Sequence, residues 1–169
     1  MKKMKITFEE LRAPEDLVRV RAIADVIWPE TFKDILSQEQ IRYMMQMMYA
    51  PEVMNRELAE GFSFNIIQAD GRDAGYMVYS AYGEDGTAKL HKVYLLKDFH
   101  HQGIGQKMLE YVCARCREQG FRSVLLAVNK QNIPAQKAYL RHGFVMEKAV
   151  KCDIGHGFFM DDYLMRKIL

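Results

Sequence analysis

The sequence predicts a mixed α/β fold: a mostly antiparallel sheet of six to seven strands with flanking helices. Two observations predict it. Short apolar runs bounded by glycine turns alternate with segments of helical period, in the order β, two or three helices, three strands, α, β, α, β, β. One glycine-rich bend also sits between an apolar strand and a helical pattern, which predicts a right-handed parallel crossover. Strands joined by tight turns are expected to be antiparallel.

Taken in order, Ile6–Leu11 reads as an opening strand. Pro14, Glu15 and Asp16 suit a helix start, with Leu17, Val20, Ala24 and Ile27 on the apolar face and Pro29 as the stop. Ser37 and Gln40 form a capping-box pattern before Ile41, Met44, Met45 and Met48. Pro51 opens a short helix to about Glu60, which Gly61 ends. Strands follow at Phe62–Ala69 and Ala74–Tyr82, joined by the hairpin signal Asp70-Gly71. Glu84-Asp85-Gly86 turns the chain into a strand over Leu90–Leu96, and the next helix runs to Gln119. Val124–Val128 is an apolar strand, Asn132–His142 a helix closed by Gly143, and two strands end the chain, Phe144 to about Lys151 and Met160–Arg166.

At 169 residues the chain is expected to form one domain, residues 1–169. Its 49% apolar and 27% charged residues are ordinary for a globular protein. A formal charge of +2, with no basic run interleaved with aromatics, argues against nucleic acid. No apolar run suits a signal peptide or a membrane span, so a cytoplasmic location is expected. Cys113 and Cys116 form C-x-x-C, but both fall on the apolar stripe of a helix with Met108, Leu109 and Val112. They read as core residues, and no metal is expected. His100, His101, His142 and His156 lack helical metal-ligand spacing.

The bend reads His100-His101-Gln102-Gly103-Ile104-Gly105. A glycine bend at a helix start offers main-chain N–H groups with no intrahelical partner, and the helix dipole favours an anion there. A dinucleotide fingerprint needs a third glycine where Met108 stands, and a P-loop needs Gly-Lys-Ser/Thr, which is absent. Further on come Asn132, Ala135, Tyr139, Gly143 and Phe144 in Asn-Ile-Pro-Ala-Gln-Lys-Ala-Tyr-Leu-Arg-His-Gly-Phe.

Together these segments resemble the acyl-CoA-binding core of the GNAT superfamily of N-acetyltransferases. That family carries Arg/Gln-x-x-Gly-x-Gly/Ala after its fourth strand, then Asn-x-x-Ala-x-x-x-Tyr-x-x-x-Gly-Phe. The opening position of the first pattern holds His100 here. The resemblance implies a splayed central strand pair that admits the pantetheine arm, and acetyl-CoA as cosubstrate without a metal. It implies that His101, Gln102, Gly103, Ile104, Gly105, Gln106 and Lys107 hold the pyrophosphate. A bulged strand at Val93, Tyr94 and Leu95 then meets the pantetheine and the thioester carbonyl, and Asn132 and Ala135 also contact the cofactor.

Tyr139 is implied as the acid for the leaving thiolate. His91 stands where many members carry a Glu, so His91 or a water relay is implied as base. Trp28, Phe32 and Tyr43 are implied as walls of the acceptor pocket. The tail Phe158–Met165 resembles polyamine and diamine acetyltransferase-like members, and Glu30, Asp34, Asp161 and Asp162 suit a cationic amine. A small-molecule amine is therefore the expected acceptor. A non-catalytic acyl-CoA sensor or scaffold and a protein N-terminal or lysine acetyltransferase remain alternatives. Dimerisation is common in the family, with Met160–Arg166 as a possible contact.

Overall fold

The computed structural model describes residues 3–169. In chain order the strands are β1 (Ile6–Leu11), β2 (Ser63–Ala69), β3 (Arg72–Tyr82), β4 (Thr87–Leu95), β5 (Ser123–Asn129), β6 (Val145–Gly155) and β7 (Phe158–Ile168). The helices are α1 (Val18–Phe32), α2 (Gln38–Tyr49), α3 (Pro51–Ala59), α4 (Ile104–Glu118) and α5 (Ile133–Arg141). The residues cluster into two units, one of 3–79 with 92–104, the other of 80–91 with 105–169. Both β3 and β4 pass through both units, so neither unit is one continuous segment. Among the described residues no helix is long and apolar enough to cross a membrane.

In the first unit the hydrogen-bonded strand order is β1-β2-β3-β4. β1 pairs antiparallel with β2, from Ile6 opposite Ala69 to Leu11 opposite Phe64. The β2–β3 hairpin turns at Asp70 (φ 49°) and Gly71 (φ 79°), the left-handed pair that a two-residue turn needs. Its register slips once, with Ile67 opposite Gly75 and Gln68 opposite Asp73. Ala74 is thus an extra residue, a bulge in β3.

The first helix departs from expectation at both ends. Pro14–Leu17 is a 3-10 turn, and α1 runs through Pro29 to Phe32. Proline deletes one helical hydrogen bond, but Pro29 sits on the exposed side. Burial of Trp28 and Phe32, whose rings stack at 4.4 Å, carries the helix past it. Ser37 does cap α2, accepting from the Gln40 N–H at 3.1 Å. The Gln40 side chain reaches forward to the Met44 sulfur at 3.8 Å.

The core of this unit holds an aromatic cluster with polar tips. Trp28 Nε1 donates to Tyr49 Oη at 3.0 Å, and the Tyr49 and Tyr76 hydroxyls share a 2.6 Å hydrogen bond. Tyr94 lies 5.8 Å from Trp28 and 5.5 Å from Tyr76, centroid to centroid. Burial holds both the Tyr49 and Tyr76 phenols well above their usual pKa, so they stay neutral. Beside them lies buried Lys92, with Nζ 3.2 Å from the Met48 carbonyl oxygen, 3.7 Å from Glu57 and 4.6 Å above the Tyr49 ring. Desolvation pushes the Lys92 pKa down and that of Glu57 up.

In the second unit the order is β4-β5-β7-β6. β4 and β5 pair in parallel from Thr87 opposite Ser123 to Leu90 opposite Leu126. The ladder ends there, although β4 runs on to Leu95 and β5 to Asn129. β7 is antiparallel to β5 on one side and to β6 on the other. β7, which contains Met160–Arg166, thus has both main-chain edges occupied within the chain. Met108, Leu109, Val112, Cys113 and Cys116 of α4 are buried, and burial pushes the Cys116 thiol up to about 12, which keeps it an unreactive thiol.

Two predictions follow from packing. A Cβ at Gly75 would overlap the Tyr94 carbonyl oxygen and lie 3.2 Å from Leu95 Cα. Gly75→Ala should therefore cost about 1–3 kcal/mol in denaturant unfolding, with altered backbone chemical shifts at Tyr94 and Leu95. Asp162 of β7 is buried, and desolvation raises its carboxyl to about 6. A carboxyl raised in the folded state favours folding most below its unfolded value, and that advantage is lost as pH rises through about 6. Asp162→Asn should remove a stability loss on the order of 3 kcal/mol between pH 4 and pH 8. Parallel pH profiles would refute this.

Candidate functional site

After β4 the chain makes a 3-10 turn at Lys97–Phe99, passes through His100 and enters α4 at Ile104. Buried Phe99 and Ile104 pin the two ends, while His101, Gln102 and Gly103 between them are exposed. His101 (φ 59°) and Gly103 (φ 76°) both take left-handed backbone, which turns the chain sharply into the helix. His100 Nε2 donates to the Leu95 carbonyl at 2.8 Å, and Gln102 Nε2 donates to the Asp98 carbonyl at 3.2 Å. His100 thus anchors the loop to the end of β4, a role the motif pattern does not reveal.

The first turn of α4 presents N–H groups that no helical carbonyl can reach. A side chain added at Gly103 or Gly105 would meet nothing within 4 Å. Gly103 is needed for its φ. Gly105 is needed neither for φ nor for packing, and glycine inside a helix costs about 1 kcal/mol relative to alanine. Its absent side chain leaves the main chain open to an outside group. Exposed Lys107 adds a positive charge in the same turn. Open backbone, helix dipole and cation together fit a pyrophosphate.

In the first unit Tyr76 of β3 meets the Tyr94 ring of β4, 5.5 Å between centroids, Leu96 N–H donates to the Ala74 carbonyl at 2.8 Å, and Gly75 lets β3 close on Tyr94 and Leu95. In the second unit the Ser80 hydroxyl lies 2.7 Å from His91 Nε2. Val93, Tyr94 and Leu95 are half-buried, and His91 is half-buried against Ser80.

On α5, the motif residues divide by task. Asn132 accepts from the Ala135 N–H at 3.4 Å and caps the helix start. At the other end Phe144 N–H donates to the Tyr139 carbonyl at 3.0 Å and Gly143 N–H to that of Leu140 at 3.1 Å, with Gly143 at φ 96°. This is a Schellman cap. Gly143 and Phe144 thus end the helix and set the Tyr139 ring 6.0 Å from that of Phe144. Burial pushes the Tyr139 phenol above its usual value, so at neutral pH it is a donor. Gln106 of α4 donates to the Ala138 carbonyl at 3.3 Å, tying the glycine-bearing helix to the residue before Tyr139.

Of the residues expected in the acceptor wall, Trp28 and Phe32 are stacked and buried, and Tyr43 is half-buried on α2. Tyr49, Tyr76, Lys92 and Gly75 did not stand out in the sequence. Lys92 carried no distinct signal, because its strand also holds Lys89 and His91. Of the acids, Glu30 faces Lys33 at 3.3 Å and Lys97 at 3.7 Å, and Asp161 faces Lys130 at 2.7 Å. Among the described residues no group of three His, Cys, Asp or Glu side chains is placed to hold a metal ion.

An uncharacterized N-acetyltransferase of Mycobacterium tuberculosis is 36% identical over 75 residues, 44% of this chain. The match spans 47% of that relative, so the chain matches about half its length. The spermidine N(1)-acetyltransferase of Thermoplasma acidophilum is 25% identical over 138 residues, covering 79% of this chain and 84% of the relative. The PaiA N-acetyltransferase of Thermoplasma acidophilum, solved in complex with coenzyme A, superposes with a TM-score of 0.83 at 24% identity, covering 98% of this chain and 100% of that one. The sequence model of the acetyltransferase (GNAT) family matches residues 19–144, three quarters of the chain, and the protein belongs to that family.

Proposed function

We propose that the protein is an acetyl-CoA-dependent N-acetyltransferase acting on a primary amine by direct attack, with a small-molecule amine or polyamine as the favoured acceptor. The observation that carries the proposal is the exposed loop at the start of α4, where Gly105 leaves the main chain open for no reason internal to the fold. Family membership and the coenzyme A complex of the Thermoplasma structure support the choice of ligand. The spermidine acetyltransferase among its relatives supports the choice of acceptor class.

In this reading the N–H groups of residues 102–106 and Lys107 bind the pyrophosphate. When bound, the thioester supplies an activated acetyl group. Main-chain donors of Val93–Leu95 stabilise the negative charge that develops on its carbonyl oxygen as the amine attacks. His91, or a water held by it, accepts the proton of the attacking amine, and its contact with Ser80 fixes the ring. Tyr139 gives its phenolic proton to the departing thiolate, a task suited to a phenol that burial keeps protonated.

Thermal unfolding with acetyl-CoA, free CoA and NADH tests the ligand. A ligand at about 100 times its Kd should stabilise the fold by about 2.7 kcal/mol, visible as a higher midpoint with both CoA species and not with NADH. No shift with either CoA species would end the reading. Tyr139→Phe should keep that shift while thiol release on an amine panel falls by roughly 10²–10⁴-fold. Unchanged turnover would remove Tyr139 from the chemistry.

A further inference from the structure

α1 is the least amphipathic of the five described helices. A helix that is apolar all round is normally covered all round. One side of α1 is covered, where Val20, Ile23, Ala24, Ile27, Trp28 and Phe32 are buried. The other side is not. Val18, Ala22, Val26 and Pro29 follow one another at helical spacing along the outward face, all exposed, with Val18 at 67% and Val26 at 62%. Exposed apolar residues scattered singly need no explanation, but a continuous apolar line marks a contact surface.

Beside the N-terminal half of this line lies an open groove of about 450 Å³, walled by α1, the 3-10 turn before it and α3. Leu17 and Met54 line it as buried residues, and Pro14, Val18 and Pro51 as exposed ones. That volume is ample for side chains of a neighbour. The charged groups at its edge are Glu15, Arg21 and Asp25, two acids and one base, which does not suit an anionic membrane or nucleic acid. Arg21 donates to Asp25 at 2.9 Å and to the Tyr49 carbonyl at 3.0 Å, so the two opposite charges are fixed on one flank of the apolar line, the base towards the N-terminus and the acid towards the C-terminus.

We propose that α1 is the contact of a symmetric homodimer, packed antiparallel against α1 of a second copy about a two-fold axis near Ala22. In that pairing Val18 of one copy meets Val26 of the other, and the groove beside Val18 receives Val26 and Pro29 of the second copy. Ala22 meets Ala22 at the crossing, where a small side chain lets two helices approach closely. The two-fold axis keeps the same flank of each helix together. At 1.5 Å per residue, Arg21 then lies about 3 Å along the helix axis from Asp25 of the second copy, and the reverse pair forms with it. The surface is complementary to itself in shape and in charge, and this selects a second copy as the occupant. The inference goes beyond the acetyltransferase reading and does not depend on it.

Sedimentation equilibrium of the full chain tests it. The parent should show a concentration-dependent equilibrium between monomer and dimer. Val26→Glu, at an exposed position, should weaken the dimer at least about tenfold by placing an unpaired charge in the contact. Asp25→Arg, which sets like charges together on the shared flank, should weaken it as well, and unchanged far-UV circular dichroism shows that both variants are folded. Ala22→Cys in a Cys152→Ser background should form a disulfide-linked dimer on mild oxidation, since Cys113 and Cys116 are buried. Glu30→Cys in the same background should not, because the two copies of residue 30 would stand about 24 Å apart along the axis. A parent that stays monomeric overturns the proposal. So does a dimer that persists undiminished in folded Val26→Glu or Asp25→Arg, or one that Ala22→Cys fails to crosslink.

Discussion

Strand β4 carries two demands that conflict. As a sheet strand it must spend its main-chain groups on neighbours, and as the proposed thioester cradle it must leave some free. β3 carries an extra residue at Ala74, and Gly75 beside it lets the main chain of β4 approach, because any side chain there would strike the Tyr94 carbonyl. The aromatic contacts of Tyr94 with Trp28 and Tyr76 hold this end of β4 from the side-chain end, and the His100 ring holds the Leu95 carbonyl. The end of β4 is thus fixed by packing on several sides.

Burial tunes the ionisable groups in different ways. Tyr139 is desolvated with no charged neighbour, so it stays a proton donor. Lys92 is desolvated beside Glu57 and the face of Tyr49, a pair whose attraction and cation–π contact offset part of the burial cost. Removing one partner alone would leave the other exposed to that cost in full. Asp162 is desolvated next to Asp161, with Lys89 and Lys130 as the opposing charges, and desolvation wins, so its carboxyl is raised.

Much of this was legible in the sequence, for reasons that can be named. Glycine turns and the two-residue repeat marked all the strands, with β1 matching its expected bounds and the others within a few residues. The second motif was legible twice over: Asn132, Gly143 and Phe144 are helix caps, whose chemistry is local, and they frame Tyr139. What failed or stayed hidden depends on tertiary contact. Pro29 is a sound local stop, yet packing of Trp28 and Phe32 overrides it. Tyr49 and Tyr76 are far apart in sequence and join only through the fold. The difference between Asp161 and Asp162 is a matter of strand alternation and of where Lys130 lands. The main-chain edges of β7 are both taken because the last two strands pair in the order β5-β7-β6, which neither composition nor period reveals.

The central claim is that main-chain amides at the start of α4 hold the acyl carrier. Amide hydrogen exchange, resolved by residue with and without acetyl-CoA, tests it most directly. The account predicts that exchange slows at residues 102–106, which are exposed apart from Ile104 and half-buried Gln106, and at Val93–Leu95 in β4. Binding that leaves residues 102–106 unprotected, with slowed exchange elsewhere in the chain, would contradict it.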